Sequence, residues 1–77
     1  MRILFRDGNE LICAKISMCI YNQEEQNLWL SIDDSTILKS EININGVQKE
    51  LARDIMKDLY TTGLYDFSSL SLDIEYC

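Results

Sequence analysis

The sequence predicts an α+β domain in which a five-stranded, mostly antiparallel sheet carries one helix on one face. Two observations lead to this prediction. Stretches before residue 45 and after residue 69 place apolar side chains at every second position, which is the period of a β-strand. Between them, residues 47–60 repeat apolar side chains at spacings of three and four, which is the period of a helix. The predicted order is ββββαβ, and residues 1–77 form one domain because the chain is too short for two cores.

The first two predicted strands, residues 2–6 and 10–21, form a hairpin. Asp7-Gly8 separates them, and this dipeptide is typical of a two-residue type I′ turn, in which both central residues have positive φ. In the second strand the even positions from Ile12 to Ile20 are all apolar, whereas the odd positions are mixed. We therefore expect the even-numbered side chains to face the core along the whole strand.

The third and fourth strands are predicted at residues 27–32 and 36–44, after a polar loop at 22–26. Leu28 and Leu30 are expected to face the core, which places Trp29 on the opposite face. Asp33, Asp34 and Ser35 predict the intervening turn, because their side chains readily accept hydrogen bonds from nearby backbone amides.

The helix is predicted to begin after Asn45, an N-cap residue with Gln48 in the capping-box position, and to end at Gly63. Its apolar stripe consists of Val47, Leu51, Ala52, Ile55, Met56, Leu59 and Tyr60. A last strand follows, in which Leu70, Leu72, Ile74 and Tyr76 alternate with polar residues. We expect this fifth strand either parallel to the fourth or antiparallel beside the first.

The composition argues against catalysis, cofactors and metals. The chain has no histidine, which removes the imidazole base and the Ser-His and Cys-His pairs, and its isolated glycines form no phosphate-binding loop. Asp73 and Glu75 share a strand face and could combine with Asp33 and Asp34 as oxygen ligands, but no calcium-loop spacing supports this. We predict a non-enzymatic protein without cofactor or metal.

Three cysteines, Cys13, Cys19 and Cys77, form no CxxC pair, which argues against a zinc site and a disulfide framework. On a regular strand Cys13 and Cys19 would share one face, ~20 Å apart. Free thiols indicate a reducing compartment. No segment resembles a signal peptide or approaches the ~18 apolar residues of a membrane span, so the expected location is the cytoplasm and no membrane contact is predicted.

The charge balance indicates the kind of partner. Thirteen acidic residues outnumber seven basic ones, for a net charge of −6 and a pI near 4.3. This balance argues against direct binding to nucleic acid and favours a protein partner with a basic surface. We predict that such a partner is bound by an acidic edge that imitates a row of phosphates, consisting of Glu24, Glu25, Asp33, Asp34 and Glu41.

A second candidate surface is the sheet face that the single helix leaves uncovered. Exposed apolar patches on small proteins usually mark contact surfaces, and Trp and Tyr are frequent at the centre of interfaces. The residues predicted on this open face are Leu11, Cys13, Cys19, Tyr21, Trp29 and Ile37. They would serve either partner binding or self-association into a homodimer.

The sequence therefore predicts a small acidic protein-binding domain. Our first hypothesis is an accessory or inhibitor protein that occludes a basic surface of a larger, nucleic-acid-processing protein. Inhibitors of this kind carried by phage and mobile elements have a similar size and charge, which is an analogy only. The alternative is a structural homodimer paired through the open sheet face, without an acidic-mimic role.

Overall fold

A computed structural model describes residues 1–77 and confirms the α+β class, with one helix and a mixed sheet of six strands instead of five. The strands lie in the order β5-β1-β2-β3-β4-β6, and all neighbours are antiparallel except β1 and β5. The elements are β1 (Arg2–Asp7), β2 (Glu10–Asn22), β3 (Asn27–Ile32), β4 (Glu41–Asn45), α1 (Lys49–Thr61), β5 (Leu64–Asp66) and β6 (Asp73–Tyr76).

The predicted β1–β2 hairpin is present, but its turn lies one residue further along the chain. Asp7 pairs with Glu10 as the last residue pair of the ladder, so the central turn residues are Gly8 and Asn9. Gly8 has φ +63°, whereas Asn9 does not have a positive φ. A positive φ at the first central residue alone is the type II′ pattern, so the predicted type I′ turn is wrong.

A β-bulge in β2 overturns the predicted facing of this strand. Ile16 lies opposite Ile32 and Met18 opposite Ser31, so Ser17 is an extra residue without a partner. Even positions face the core before the bulge, but odd positions do so after it. As a result Cys19 enters the core, and Met18 and Ile20 point outward with 48% and 50% exposure.

The predicted fourth strand is shorter than expected and begins only at Glu41. Residues 33–40 form a loop because the Asp34 carboxylate accepts hydrogen bonds from the backbone and hydroxyl of Thr36 and from the backbone N–H of Lys15. These bonds compete with an extended conformation. Ile37 lies in this loop, packed against the core, and Leu38 is fully exposed.

The helix ends as predicted but begins later. Gly63 adopts φ +77° and its N–H donates to the Asp58 carbonyl at 3.2 Å, a conformation that favours glycine. At the other end Gln48 is the N-cap and makes no side-chain capping bond. The predicted cap residue, Asn45, is instead the last residue of β4, where its side chain takes part in a hydrogen-bond chain described below.

The C-terminal region differs most from the prediction. A short strand, β5, was not expected, and it runs parallel to β1 at one edge of the sheet. The last strand, β6, lies antiparallel to β4 at the other edge, so both predicted placements of it are wrong. The segment between them contains Leu70 and Leu72, which pack on the core outside any strand.

The sheet curls around the core. Phe5 on β1 and Tyr76 on β6 meet edge to face with ring centroids 5.1 Å apart. These strands are four places apart in the sheet order, a separation of ~19 Å in a flat sheet. The concave side holds a core of apolar residues only, closed by Ala52, Ile55 and Leu59 of the helix. The opposite side, called the outer face below, is therefore convex.

Candidate protein-binding face

The outer face carries a stripe of exposed apolar side chains along its middle. The stripe lies on β2 and β3, the two central strands of the sheet, and consists of Leu11, Cys13, Met18, Ile20 and Trp29. Leu11 is 55% exposed, and Trp29 is half-buried beside Ile20. We call these five residues the apolar stripe. Because the sheet is convex, the stripe is the part of the outer face that an approaching molecule meets first.

Leu11, Cys13 and Trp29 lie on the outer face as the sequence predicts, but Cys19 and Tyr21 do not. Cys19 is 4% exposed, and burial raises the pKa of its thiol to about 11. The Tyr21 hydroxyl donates to the buried Val47 carbonyl at 2.6 Å, which fixes the ring on the helix side.

The remaining predicted member of the open face, Ile37, is absent from it because this residue lies in the β3–β4 loop. Met18 and Ile20 were missed as members of this face. No sequence signal reveals the exchange, because both sides of the second half of β2 are lined by apolar residues. Either register buries apolar side chains, and the bulge decides between them.

One flank of the stripe carries three carboxylates, Glu41, Asp73 and Glu75, on the outer face of β4 and β6. Neutral groups hold them: the Trp29 indole Nε1–H donates to Glu41 Oε2 at 3.0 Å, and Asn45 Nδ2 donates to Glu75 Oε1 at 2.7 Å. Asn45 Nδ2 also lies 3.3 Å from an Asp73 oxygen. These donors orient the three carboxylates, called the anionic cluster, without neutralising their charge.

A further amide orients Asn45. The Asn27 side chain donates to Asn45 Oδ1 at 3.1 Å, so the Asn45 amide nitrogen is left to face the carboxylates. The chain of side-chain bonds thus runs across three neighbouring strands, from β3 through β4 to β6. Side chains held in this way lose less conformational entropy when a partner binds.

Three basic residues lie towards the other flank: Arg2 and Arg6 are on β1, and Lys15 is on β2 between Cys13 and Met18 of the stripe itself. We call them the cationic cluster. Arg2 lies directly opposite Lys15 in the ladder, an arrangement of like charges that destabilises a sheet. Asp66 lies near Arg6, but hydrogen bonds from Ser68, followed by the charge of Arg6, hold the pKa of Asp66 below its usual range. The Asp66 carboxylate thus serves mainly the turn after β5.

The five residues of the predicted acidic edge do not lie together. Glu24 and Glu25 are in the β2–β3 loop, where their N–H groups donate to the Asn22 side chain. Asp33 and Asp34 follow the other end of β3, ~20 Å away for a strand of this length. Hydrogen bonds from Thr36 lower the pKa of Asp34, which marks it as a loop-forming carboxylate.

The acidic end of the molecule is formed by a different set. The β2–β3 loop lies at the same end of the sheet as Asp73, because Asn27 bonds to Asn45 and Asn45 pairs with Asp73. Glu24 and Glu25 are therefore neighbours of the anionic cluster. Asp73 and Glu75 were considered only as metal ligands from the sequence, although their alternation in the last strand already placed them on one face.

The structure offers no enclosed site for a small molecule or ion. No group of three or more histidine, cysteine, aspartate or glutamate side chains is placed to hold a metal. Two surface depressions are open and shallow, one along Ile20–Glu24 and one bordered by Arg2, Cys13, Lys15 and the β3–β4 loop.

The helix is not long and apolar enough to cross a membrane. The chain matches no protein-family model, no curated protein and no solved structure.

Proposed function

We propose that this chain is a non-enzymatic protein-binding domain that docks its outer face on a basic surface of a larger protein. The observation that carries the proposal is the apolar stripe beside carboxylates that neutral donors hold in place. Such a surface combines an apolar centre with an ordered polar rim, which is the anatomy of protein–protein interfaces.

The apolar stripe would supply most of the affinity. Leu11, Met18 and Ile20 are each about half exposed, and burying apolar area contributes about 25 cal/mol per Å². Trp29 lies beside Ile20 and is of the residue type most often found at the energetic centre of interfaces. The stripe thus provides a compact anchor.

The acidic end would select a basic partner. Glu24 and Glu25 extend the anionic cluster beyond the sheet, and no lysine or arginine lies on β3, β4 or β6. Complementary charge speeds the encounter of two proteins and fixes their relative orientation. A partner that normally binds nucleic acid presents such a basic surface, which makes an accessory or inhibitor role the best-supported class.

We propose the cytoplasm as the location of the chain, because its exposed thiols at Cys13 and Cys77 suit a reducing compartment.

Affinity capture with matched variants tests this proposal. The immobilised chain, under reducing conditions, is exposed to lysate of the cells that produce it. We expect a captured protein to be lost when Glu24→Lys and Glu25→Lys are combined, and also in Ile20→Lys. Added double-stranded DNA should displace it, because DNA competes for the same basic surface.

The matched control combines Asp54→Lys with Asp58→Lys on the exposed side of α1, which changes the net charge by the same amount. Capture that is lost in this control as well would indicate a non-specific charge effect. Capture that survives both Ile20→Lys and the Glu24 and Glu25 reversals would show that the outer face is not the binding surface.

A further inference from the structure

The outer face is complementary to itself. Arg2 and Arg6 of the cationic cluster lie on one flank of the apolar stripe, and the anionic cluster lies on the other. A two-fold axis that passes through the stripe, perpendicular to the line joining the clusters, places each cluster of one copy over the opposite cluster of its twin. We infer that two copies of this chain pair through their outer faces.

The apolar stripe would form the centre of this pairing. Met18, Ile20 and Trp29 lie on the two central strands, and the convex curvature makes these strands the first to touch in a face-to-face approach. A two-fold pair of identical patches is the commonest form of oligomer. A standard interface buries about 800 Å² per partner, roughly a sixth of the 4966 Å² accessible surface, and one uncovered sheet face can supply this area.

The charged flanks give the pairing its orientation. Within one chain, Arg2 and Lys15 form a like-charged pair across the ladder, and Asp73 and Glu75 share one amide donor of Asn45. Asp34 is the acidic group beside Lys15, but its carboxylate is engaged mainly by hydrogen bonds from Thr36, and no basic residue lies on β4 or β6 beside Asp73 and Glu75. The twin would supply further counter-charge from its opposite flank. The net charge of −6 repels two copies at long range, but at 0.15 M salt charges separated by more than about 8 Å are largely screened.

This pairing goes beyond the proposed function, and only one consequence depends on that function. Because the pair uses the same face, a paired copy would cover the surface offered to a basic partner. The dimer would then be unable to bind the partner, and the partner would have to displace one copy from the other.

Solution mass under reducing conditions tests the pairing directly. Light scattering behind a sizing column, over a range of concentrations, should give twice the 9.0 kDa of the single chain at the upper end. Ile20→Lys should give the single-chain mass throughout. Leu38→Lys, which makes the same chemical change at a fully exposed loop position, should keep the dimer.

Charge exchange tests the orientation. A cation variant combines Arg2→Glu with Arg6→Glu, and an anion variant combines Asp73→Lys with Glu75→Lys. Each alone should weaken pairing roughly tenfold or more, because symmetry makes every substitution count twice. An equimolar mixture of the two should form a heterodimer at the concentrations at which the wild type dimerises. In this heterodimer the two altered flanks face each other with exchanged charges, and the two unaltered flanks keep their native opposite charges. Circular dichroism confirms that each variant is folded.

Two results would overturn the inference. A single-chain mass at every concentration would leave the outer face free, and the proposed function would stand without it. A dimer that persists in Ile20→Lys and in both charge variants would show that the copies meet elsewhere. Conversely, a wild-type chain that forms the dimer but captures no partner would contradict the proposed function alone.

Discussion

At the scale of single residues, the three cysteines differ in exposure, and the β2 bulge is what turns Cys19 into the core. Cys13 and Cys77 are exposed, whereas Cys19 is enclosed by core side chains. A thiolate is poorly stabilised in apolar surroundings, so burial raises the pKa of Cys19 from 9.0 to about 11. Under native conditions we therefore regard Cys19 as a packing residue and not as a reactive thiol.

This burial predicts a pH dependence of stability. Below pH 9.0 the Cys19 thiol is protonated in the folded and unfolded states alike, and between pH 9.0 and about 11 only the unfolded state releases the proton. Stability is thus lost as the pH rises through this window, by at most about 3 kcal/mol from this group. Urea unfolding of the wild type should show a steeper decrease there than Cys19→Ala, in which all other titrating groups are retained.

Thiol labelling provides the control for this assignment. In the native state an aqueous thiol reagent should modify Cys13 and Cys77, and Cys19 only after unfolding. Equal slopes for the two proteins between pH 9.0 and 11, or rapid native labelling of Cys19, would contradict the burial of the Cys19 thiol.

At the scale of elements, the decisive feature is the bulge at Ser17. It lets one strand pair with β1 through its first half and with β3 through its second half, and it adds local twist where the two ladders meet. The sequence could predict the strand but not this irregularity. Met18 and Ile20 are as apolar as Cys19 and Tyr21, so simple alternation extends smoothly through the bulge in the wrong phase.

The bulge makes β2 unequally sensitive to deletions. Removing Ser17 should cost only about 1–2 kcal/mol, because the remaining residues then alternate regularly with Cys19 still facing the core. Removing Lys15 should cost more than about 3 kcal/mol, because regular alternation between Ala14 and Met18 then turns Ile16 outward and Ser17 into the core. Denaturant unfolding measures both values. A Ser17 deletion that exposes Cys19 to labelling would show that Ser17 is not the extra residue of the bulge.

At the scale of the whole molecule, curvature of the sheet closes the core. A single helix of 13 residues covers a limited area, and the sheet completes the enclosure by bringing β6 towards β1. Tyr76 is the contact point, with Phe5 against its ring and the Lys39 ammonium 4.8 Å from the ring centroid. The same curvature makes the outer face convex and raises the apolar stripe above its charged flanks.

Truncating this contact should destabilise the whole domain. Tyr76→Ala removes a half-buried ring and its edge-to-face contact with Phe5, and we expect a loss of about 2 kcal/mol in the free energy of unfolding. Tyr60→Ala is the matched control, since that ring is 62% exposed on the helix and its loss should change stability by less than about 0.5 kcal/mol. Equal effects in the two variants would indicate that the Phe5–Tyr76 contact does not hold the curl together.

The sequence by itself determined the fold class, the first three strands, the helix and its end at Gly63. These features depend on local periodicity and on the conformational preference of single residues, both of which can be recognised within a short stretch of sequence. It also placed Leu11, Cys13 and Trp29 correctly on the outer face.

Only the tertiary structure decided which side of β2 faces outward after Ser17, where β5 and β6 join the sheet, and which carboxylates become neighbours. Each of these depends on pairing between distant segments. Two registers that bury equally apolar side chains differ little in local energy, so long-range hydrogen bonds and packing choose between them. For the same reason the acidic end combines Glu24 and Glu25 with Asp73 and Glu75, which the sequence separates by almost 50 residues.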